Sequence, residues 1–184
     1  MRNVAVILLL LAGTALAGSG QLVPTDVLRG VLDVVRADWD GDGVLDRAVL
    51  WQPQASEDLA NLYVYLSGEA EPVVATGIAW SQYGGQEAWL ELDPRGFSVF
   101  SGGIAGGRKW QEGLAVAYDD GGLRVVGYSY HSYDLADSEQ GFVCTADFVG
   151  GKGSRNGTGF AIAGGAPRLE DWSYERIPVP CRAR

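Results

Sequence analysis

Two patterns of hydrophobic residues follow one another along the chain. In the first, apolar side chains recur at helical spacing on one face, at Val27, Leu28, Val31, Leu32 and Val35. Thr25 or Asp26 precedes this face as a possible N-cap. The pattern predicts one N-terminal α-helix. Because Gly30 and the valines have low helix propensity, packing would have to stabilise this helix.

In the second pattern, short apolar runs rich in β-branched and aromatic residues predict strands. These runs lie at residues 48–51, 62–66, 72–75, 88–92, 97–100, 114–118, 123–128, 142–144, 147–149 and 159–162. Asp119-Asp120-Gly121-Gly122 is the clearest hairpin turn. Strands and helices do not alternate along the chain, which argues against a parallel sheet. We therefore predict a mainly β, single-domain antiparallel meander over residues 18–184, folded as a sandwich or an open barrel with the helix packed on it.

Two glycine-rich stretches are predicted to be loops. Residues 101–110 read SGGIAGGRKW, which lacks the Lys-Ser/Thr ending of a phosphate loop and is not followed by a helical pattern. We predict a flexible connection between two strands there. Residues 150–157 read GGKGSRNG and predict an exposed mobile loop.

The first 17 residues have the pattern of a secretory signal peptide. Arg2 supplies a positive charge, Val4 to Leu11 form an unbroken apolar run, and Ala15-Leu16-Ala17 is a small-x-small cleavage site. The run is shorter than the roughly 20 residues that cross a bilayer. We expect a cleaved signal peptide over residues 1–17, a periplasmic or secreted protein, and no membrane span.

The two cysteines agree with export. Cys144 and Cys181 are the only cysteines, and an isolated pair in an oxidising compartment usually forms a disulfide. The alternatives are two free thiols or a shared metal site. The chain has no CxxC spacing and a single histidine, which argues against zinc.

Charge and length limit the possible function classes. The 184 residues suit one domain, and we expect a monomer. Lys and Arg number 14 against 23 Asp and Glu, which gives a net charge of -9. A nucleic-acid binder or a protein that adsorbs to anionic lipid would need clustered basic residues instead. The 27 glycines favour many turns over long helices.

The densest candidate chemistry lies in residues 38–46, which read DWDGDGVLD. Aspartates occupy positions 1, 3, 5 and 9 of this loop and Gly43 occupies position 6, a spacing that wraps oxygen atoms around a hard cation. The predicted ligands are the carboxylates of Asp38, Asp40 and Asp42, the backbone carbonyl of Val44, and Asp46 directly or through water. A flexible all-oxygen set favours Ca²⁺ over Mg²⁺. Position 12 is Val49 rather than Glu, which argues against a sensor-type EF-hand, so we expect a structural calcium.

This loop and the RAVLW segment after it resemble the calcium loop of FG-GAP repeats, such as those of integrin propeller blades. The wider stretch, including LYVYLSG at 62–68 and the aromatic-rich hairpin at 109–134, is similar to small exported bacterial β-proteins that carry one such loop. A propeller needs several blades, and this chain has one loop and too few strands to close a ring. The resemblance therefore implies a single calcium-stabilised β-module without a specified activity.

Few residues suggest catalysis. His131 is the only histidine, and strand periodicity would align it with Ser129 and Tyr133 on one face. No GxSxG nucleophile elbow surrounds that serine, so a polar strand surface is the favoured interpretation. A glycosidase-like carboxylate pair is conceivable, although chance pairs are expected among 23 acidic residues. Its candidates are Glu87, Glu91, Asp93 and Glu112.

The six tryptophans and eight tyrosines are the last signal. Exposed aromatic side chains bind glycans or proteins, although packing within a sheet is the commoner use. We expect an exported calcium-binding β-module with a non-enzymatic binding or accessory role in the cell envelope, whose protein or glycan ligand the sequence does not identify. The alternatives are a hydrolase acting on an envelope or extracellular polymer and an acidic proteinaceous enzyme inhibitor.

Overall fold

Residues 30–52, 58–81 and 86–182 are described by a computed structural model, and they form two antiparallel β-sheets. The prediction of a mainly β antiparallel meander is therefore confirmed. The predicted signal peptide lies outside the described residues and stays a prediction.

The first sheet is a four-stranded meander in chain order. Its strands are β1 (Val31–Ala37), β2 (Asp46–Trp51), β3 (Leu59–Tyr65) and β4 (Val73–Trp80). Alternate side chains of β2 and β3 are buried, as expected when one face of a sheet covers a core. These side chains are Ala48, Leu50, Ala60, Leu62 and Val64.

The second sheet is a seven-stranded meander, also in chain order. Its strands are β5 (Glu87–Asp93), β6 (Gly96–Ala105), β7 (Arg108–Asp119), β8 (Gly122–Asp134), β9 (Gly141–Asp147), β10 (Lys152–Arg155) and β11 (Thr158–Ala161). Strands β6, β7 and β8 contain 10, 12 and 13 residues, whereas the strands of the first sheet contain 6 to 8. The long strands therefore extend past the sheet that faces them.

Both sheets contribute to one hydrophobic core. Leu50 and Leu62 of the first sheet and Phe97 and Val125 of the second are fully buried members of the same cluster. The Asp33 carboxylate on β1 accepts a hydrogen bond from the Leu90 backbone N–H on β5 at 2.8 Å, which joins the edges of the two sheets. Within the described residues neither sheet closes into a barrel.

The predicted N-terminal helix is wrong where the structure describes it. Val31–Ala37 is strand β1, which pairs with β2, while residues 24–29 lie outside the described part of the chain. From Val34 onward the side chains alternate between exposed and half-buried, which is the strand period. Because β-branched valines favour strands, pairing with β2 prevails over a weak helical pattern. The only helices in the described residues are three single 3-10 turns, and none is long and apolar enough to cross a membrane.

Both glycine-rich stretches predicted as loops contain strands. Strand β6 continues to Ala105, and the two-residue turn Gly106-Gly107 leads directly into β7. Residues 152–161 form the hairpin of β10 and β11 around Asn156-Gly157. All four of these turn residues have positive φ, the conformation that two-residue hairpin turns require.

A disulfide fastens the C-terminal segment, defined here as residues 163–182, to the second sheet. Cys144 on β9 and Cys181 are bonded, with their Cα atoms 5.3 Å apart, so the predicted pairing is confirmed. The segment contains the 3-10 turns Leu169–Asp171, Tyr174–Arg176 and Val179–Cys181. Leu169, Trp172 and Ile177 bury their side chains in the core. The segment thus covers part of the inner face of the sheet.

Candidate metal centre

The aspartate-rich loop connects β1 to β2. Its chain reverses at Gly41 and Gly43, whose φ angles of 80° and 89° lie in the left-handed region. The Asp38 carboxylate accepts hydrogen bonds from both glycine N–H groups, at 2.8 and 2.9 Å. The glycines therefore permit the turn, and the hydrogen bonds to the Asp38 carboxylate stabilise it.

The structure brings three of the predicted ligands together. Carboxylate oxygens of Asp38, Asp40 and Asp42 lie within 4.8 Å of one another. Asp38 and Asp42 are exposed and Asp40 is half-buried, so a cation could enter from solvent. A set made only of carboxylate oxygens fits a hard cation such as Ca²⁺.

The electrostatics of the loop differ between neighbouring aspartates. The hydrogen bond from the Asp42 N–H lowers the pKa of Asp40, but desolvation and the charges of Asp46, Asp42 and Asp38 outweigh it and raise the pKa overall. Hydrogen bonds from the Ser67 hydroxyl and the Val44 N–H lower the pKa of Asp42. The repulsion between these carboxylates therefore raises the pKa of Asp40, whereas the pKa of Asp42 is lowered.

The two remaining predicted ligands have other positions. Asp46 is only 1% exposed and does not belong to the group of three carboxylates. Its two oxygens accept hydrogen bonds from the backbone N–H groups of Trp39 and Ser67, at 2.8 and 2.9 Å. Val44 is exposed, and its N–H donates to Asp42 at 2.7 Å. Asp46 therefore anchors the loop to the first sheet.

Ser67 is a residue of this site that sequence reasoning missed. Its hydroxyl donates to the Asp42 carboxylate at 2.6 Å, and its N–H donates to Asp46. It lies 25 residues after Asp42, within the LYVYLSG segment at 62–68, and nothing in that segment marks it as part of the metal loop. The pairing of Arg47 with Tyr65 places the end of β3 beside the start of β2, and this register brings Ser67 to the loop.

Trp39 connects the loop to the second sheet. Its ring packs against Phe97 of β6, with the ring centroids 4.8 Å apart. Phe97 is fully buried in the shared core. A change in the order of the loop would therefore alter the packing of Trp39 against Phe97, where the two sheets meet.

The four candidate carboxylates of the glycosidase alternative do not lie on one face of the sheet. Leu90 faces the core, so the odd-numbered positions Glu87, Glu91 and Asp93 of β5 point to the outer face of the sheet. Glu112 lies instead on the inner face of β7, beside Leu114 and buried. The structure therefore does not pair this carboxylate with the other three.

His131 is exposed on the outer face of β8. Its ring lies 5.7 Å from that of Tyr133, and no hydrogen bond joins it to a serine among the described residues. The tryptophans divide between uses: Trp172 is buried, whereas Trp89 stacks on Phe100 on the outer face.

Comparison with known proteins adds no family to these observations. The chain matches no protein-family model, no curated protein and no solved structure.

Proposed function

We propose that this protein is an exported calcium-binding β-module with a non-enzymatic binding or accessory role in the cell envelope. The observation that carries the proposal is the convergence of Asp38, Asp40 and Asp42 within one loop, with carboxylate oxygens inside 4.8 Å. The likeness of this loop to FG-GAP calcium loops supports the same conclusion.

Calcium is the cation that suits this loop best. Three carboxylates so close together repel one another, and a divalent ion between them turns the repulsion into attraction. Ca²⁺ accepts a variable number of oxygen ligands in a flexible loop, whereas Mg²⁺ needs near-ideal octahedral geometry. The exposed side of the group leaves room for water ligands to complete the coordination.

The role proposed for calcium is structural. The loop is tied to the first sheet through Asp46 and Ser67 and to the second through Trp39 and Phe97. Ordering the loop would therefore stiffen the contact between the sheets. No activity is assigned to the ion.

Export is supported by two independent features. The Cys144–Cys181 disulfide is stable in an oxidising compartment, and the first 17 residues have the pattern of a cleaved leader. The hydrolase alternative loses Glu112 as a partner for Glu87, Glu91 and Asp93, because these lie on the opposite face of the sheet. The inhibitor alternative rests on net charge alone.

A melting experiment tests the calcium proposal. For a Kd on the order of 10⁻⁴ M, about 10 mM Ca²⁺ would stabilise the folded protein by about 2.7 kcal/mol. We therefore expect the melting temperature to rise with Ca²⁺, to rise less with Mg²⁺, and to fall back with EDTA.

The matched variants are Asp40→Asn in the loop and Asp119→Asn at the exposed end of β7. Both remove one negative charge, but only the first should abolish the calcium response. A melting temperature that ignores Ca²⁺ and EDTA, or an equal response in both variants, would refute the calcium site.

A further inference from the structure

A buried carboxylic acid lies on the second sheet, away from the metal loop. Glu112 of β7 is 7% exposed, and no lysine or arginine of the described residues comes within 4.0 Å of it. The Tyr128 hydroxyl interacts with its carboxylate and lowers the pKa of that group. The Tyr174 hydroxyl also interacts with the carboxylate and lowers its pKa, although no acceptor lies in standard hydrogen-bond geometry around that hydroxyl. A buried carboxyl group without a cationic partner costs desolvation energy, so packing alone does not explain an acid at this position.

The position of Glu112 follows from the unequal lengths of the sheets. The inner face of β7 carries Leu114 in the core, then Glu112, Trp110 and Arg108 toward the strand end. Because β6, β7 and β8 are longer than the strands of the first sheet, these three side chains continue the inner face past the core. Their cross-strand neighbours on β6 include Gly103 and Ala105, which leave space above the sheet.

That space is a cleft of about 540 Å³. Trp80 of β4 and Tyr174 of the C-terminal segment form walls, and their rings lie 5.9 Å apart. Trp110 lies nearly parallel to Tyr130 of β8, with an interplanar angle of 10° and centroids 6.5 Å apart. The cleft thus has several aromatic surfaces around one buried acid.

Two polar atoms of the cleft are buried without a partner in standard hydrogen-bond geometry among the described residues. They are Gln86 Oε1 and the Tyr174 hydroxyl. A buried polar atom left without a hydrogen bond is costly, and such atoms usually meet water or a ligand. Both atoms therefore point to an occupant that carries hydrogen-bonding groups.

The cleft is also lined by two arginines. Arg108 donates to the Gln140 backbone oxygen at 3.0 Å, and Arg182 donates to the backbone oxygens of Ile177 and Glu175. Neither has a carboxylate within 4.0 Å among the described residues. In a chain of net charge -9, two arginines without an acidic partner in one cleft favour an anionic group on the ligand.

We propose that the cleft around Glu112 binds an acidic saccharide of the uronate type, with the sugar ring on Trp110 or Trp80 and its carboxylate on Arg108 and Arg182. The hydroxyls of such a ring would meet Gln86, Tyr174 and Glu112. Glu112 is the only acidic side chain that lines the cleft among the described residues, and glycoside hydrolysis ordinarily needs two. The site is therefore a binding site, and it gives a ligand class to the binding role proposed above without depending on calcium.

Calorimetric titration with glucuronate and with its uncharged methyl ester tests this proposal. Glucuronate should bind at least tenfold more tightly than the ester. Arg108→Gln and Trp110→Ala should each weaken glucuronate binding about tenfold or more, because arginine and tryptophan dominate such contacts. Lys109→Gln is the matched control, since Lys109 lies next in β7 but points to the outer face, and it should leave the affinity unchanged.

The pH dependence provides a second readout. Desolvation raises the pKa of Glu112 to about 7, although the hydroxyls of Tyr128 and Tyr174 lower it. Burial raises the pKa values of Tyr128, Tyr130 and Tyr174, so these stay neutral, and both arginines stay charged. Lowering the pH from about 8 to about 6 should therefore strengthen glucuronate binding severalfold by neutralising Glu112, and Glu112→Gln should remove this dependence.

Several outcomes would overturn the proposal. Equal affinity for the ester and the acid would exclude the anionic class, and an unaffected Trp110→Ala variant would exclude the cleft. Absence of binding by a folded protein would exclude both. Asp40→Asn should retain glucuronate binding, so failure of the calcium site and failure of the cleft are separable.

Discussion

At the scale of single residues, Asp46 combines two roles. It completes the spacing of the aspartate motif, yet its side chain is buried and its oxygens accept hydrogen bonds from two backbone N–H groups, those of Trp39 and Ser67. An acceptor that serves two backbone donors holds the loop, the start of β2 and the end of β3 together. The residue therefore contributes to stability before any ion is considered.

Removing this acceptor should destabilise the protein. We expect Asp46→Ala to lower the free energy of unfolding by about 1–3 kcal/mol, because two backbone N–H groups lose their partner. Asp46→Asn retains one acceptor and should cost less. Urea unfolding in EDTA measures this without a contribution from calcium. Glu69→Ala, at an exposed acid, is the control, and an equal effect in both alanine variants would contradict this account.

Glu112 should give stability an unusual pH dependence. Its pKa is raised from an ordinary 4.5 to about 7, so the folded state disfavours the ionised form. Its contribution to stability is present below about pH 4.5 and is lost as the pH rises through about 7, by about 3 kcal/mol in total. Urea unfolding at pH 5 and pH 8 (~3 units apart) should show Glu112→Gln gaining stability relative to wild type at the higher pH. A constant difference between the two proteins would contradict the shift.

At the scale of elements, the turns decide where the strands of the second sheet begin and end. Asp120 and Gly121 join β7 to β8 with φ angles of 48° and 72°, as a two-residue hairpin turn requires. The Asp-Gly signal made this hairpin predictable. The Asn156-Gly157 turn carries an equally good signal, but the glycines around it suggested a loop, and the short hairpin was missed.

Gly121, the second residue of the turn between β7 and β8, should be required as glycine. We expect Gly121→Ala to lower the free energy of unfolding by about 1–2 kcal/mol, because a Cβ is disfavoured in the left-handed region. No atom lies within 4 Å of the added Cβ, so strain would be the sole cause. Gly68→Ala is the matched control, since Gly68 has open space and no left-handed φ. Thermal unfolding measures the stability of both variants, and equal stability of the two would contradict the turn assignment.

Strand β1 shows why an element can be mistaken in kind. The spacing of its apolar residues fitted a helix face, and the exposed Val34 beside the half-buried Val35 agrees with a helix or a strand. A short run of valines satisfies both periods. Only the pairing with β2, which lies across the metal loop, distinguishes them.

At the scale of the whole molecule, the disulfide holds a segment with little regular structure. The C-terminal segment contains only single 3-10 turns, so its backbone gains little from hydrogen bonds of its own. Its position depends on Cys181, on buried side chains such as Trp172, and on contact with the inner face of the sheet. The same segment supplies Tyr174 and Arg182 to the Glu112 cleft.

Loss of this bond should be costly. For a sequence separation of 37 residues, the chain-entropy model gives about 4 kcal/mol as an upper estimate. We expect the double variant Cys144→Ala/Cys181→Ala to melt at a lower temperature than wild type. Dithiothreitol should lower the wild-type melting temperature and leave the variant unchanged. A wild-type melting temperature that resists complete reduction would contradict this role.

The sequence by itself determined the features that depend on neighbouring residues. Strand runs, the hairpin at Asp120-Gly121, the metal-loop spacing and the pairing of the only two cysteines could be predicted, because period, turn conformation and cysteine chemistry are local or unique. The tertiary structure decided the rest. It made residues 31–37 a strand, brought Ser67 to the loop, and placed Glu112, Tyr174 and Gln86 around one cleft. These positions depend on strand register and on unequal strand lengths, which link residues far apart in the chain.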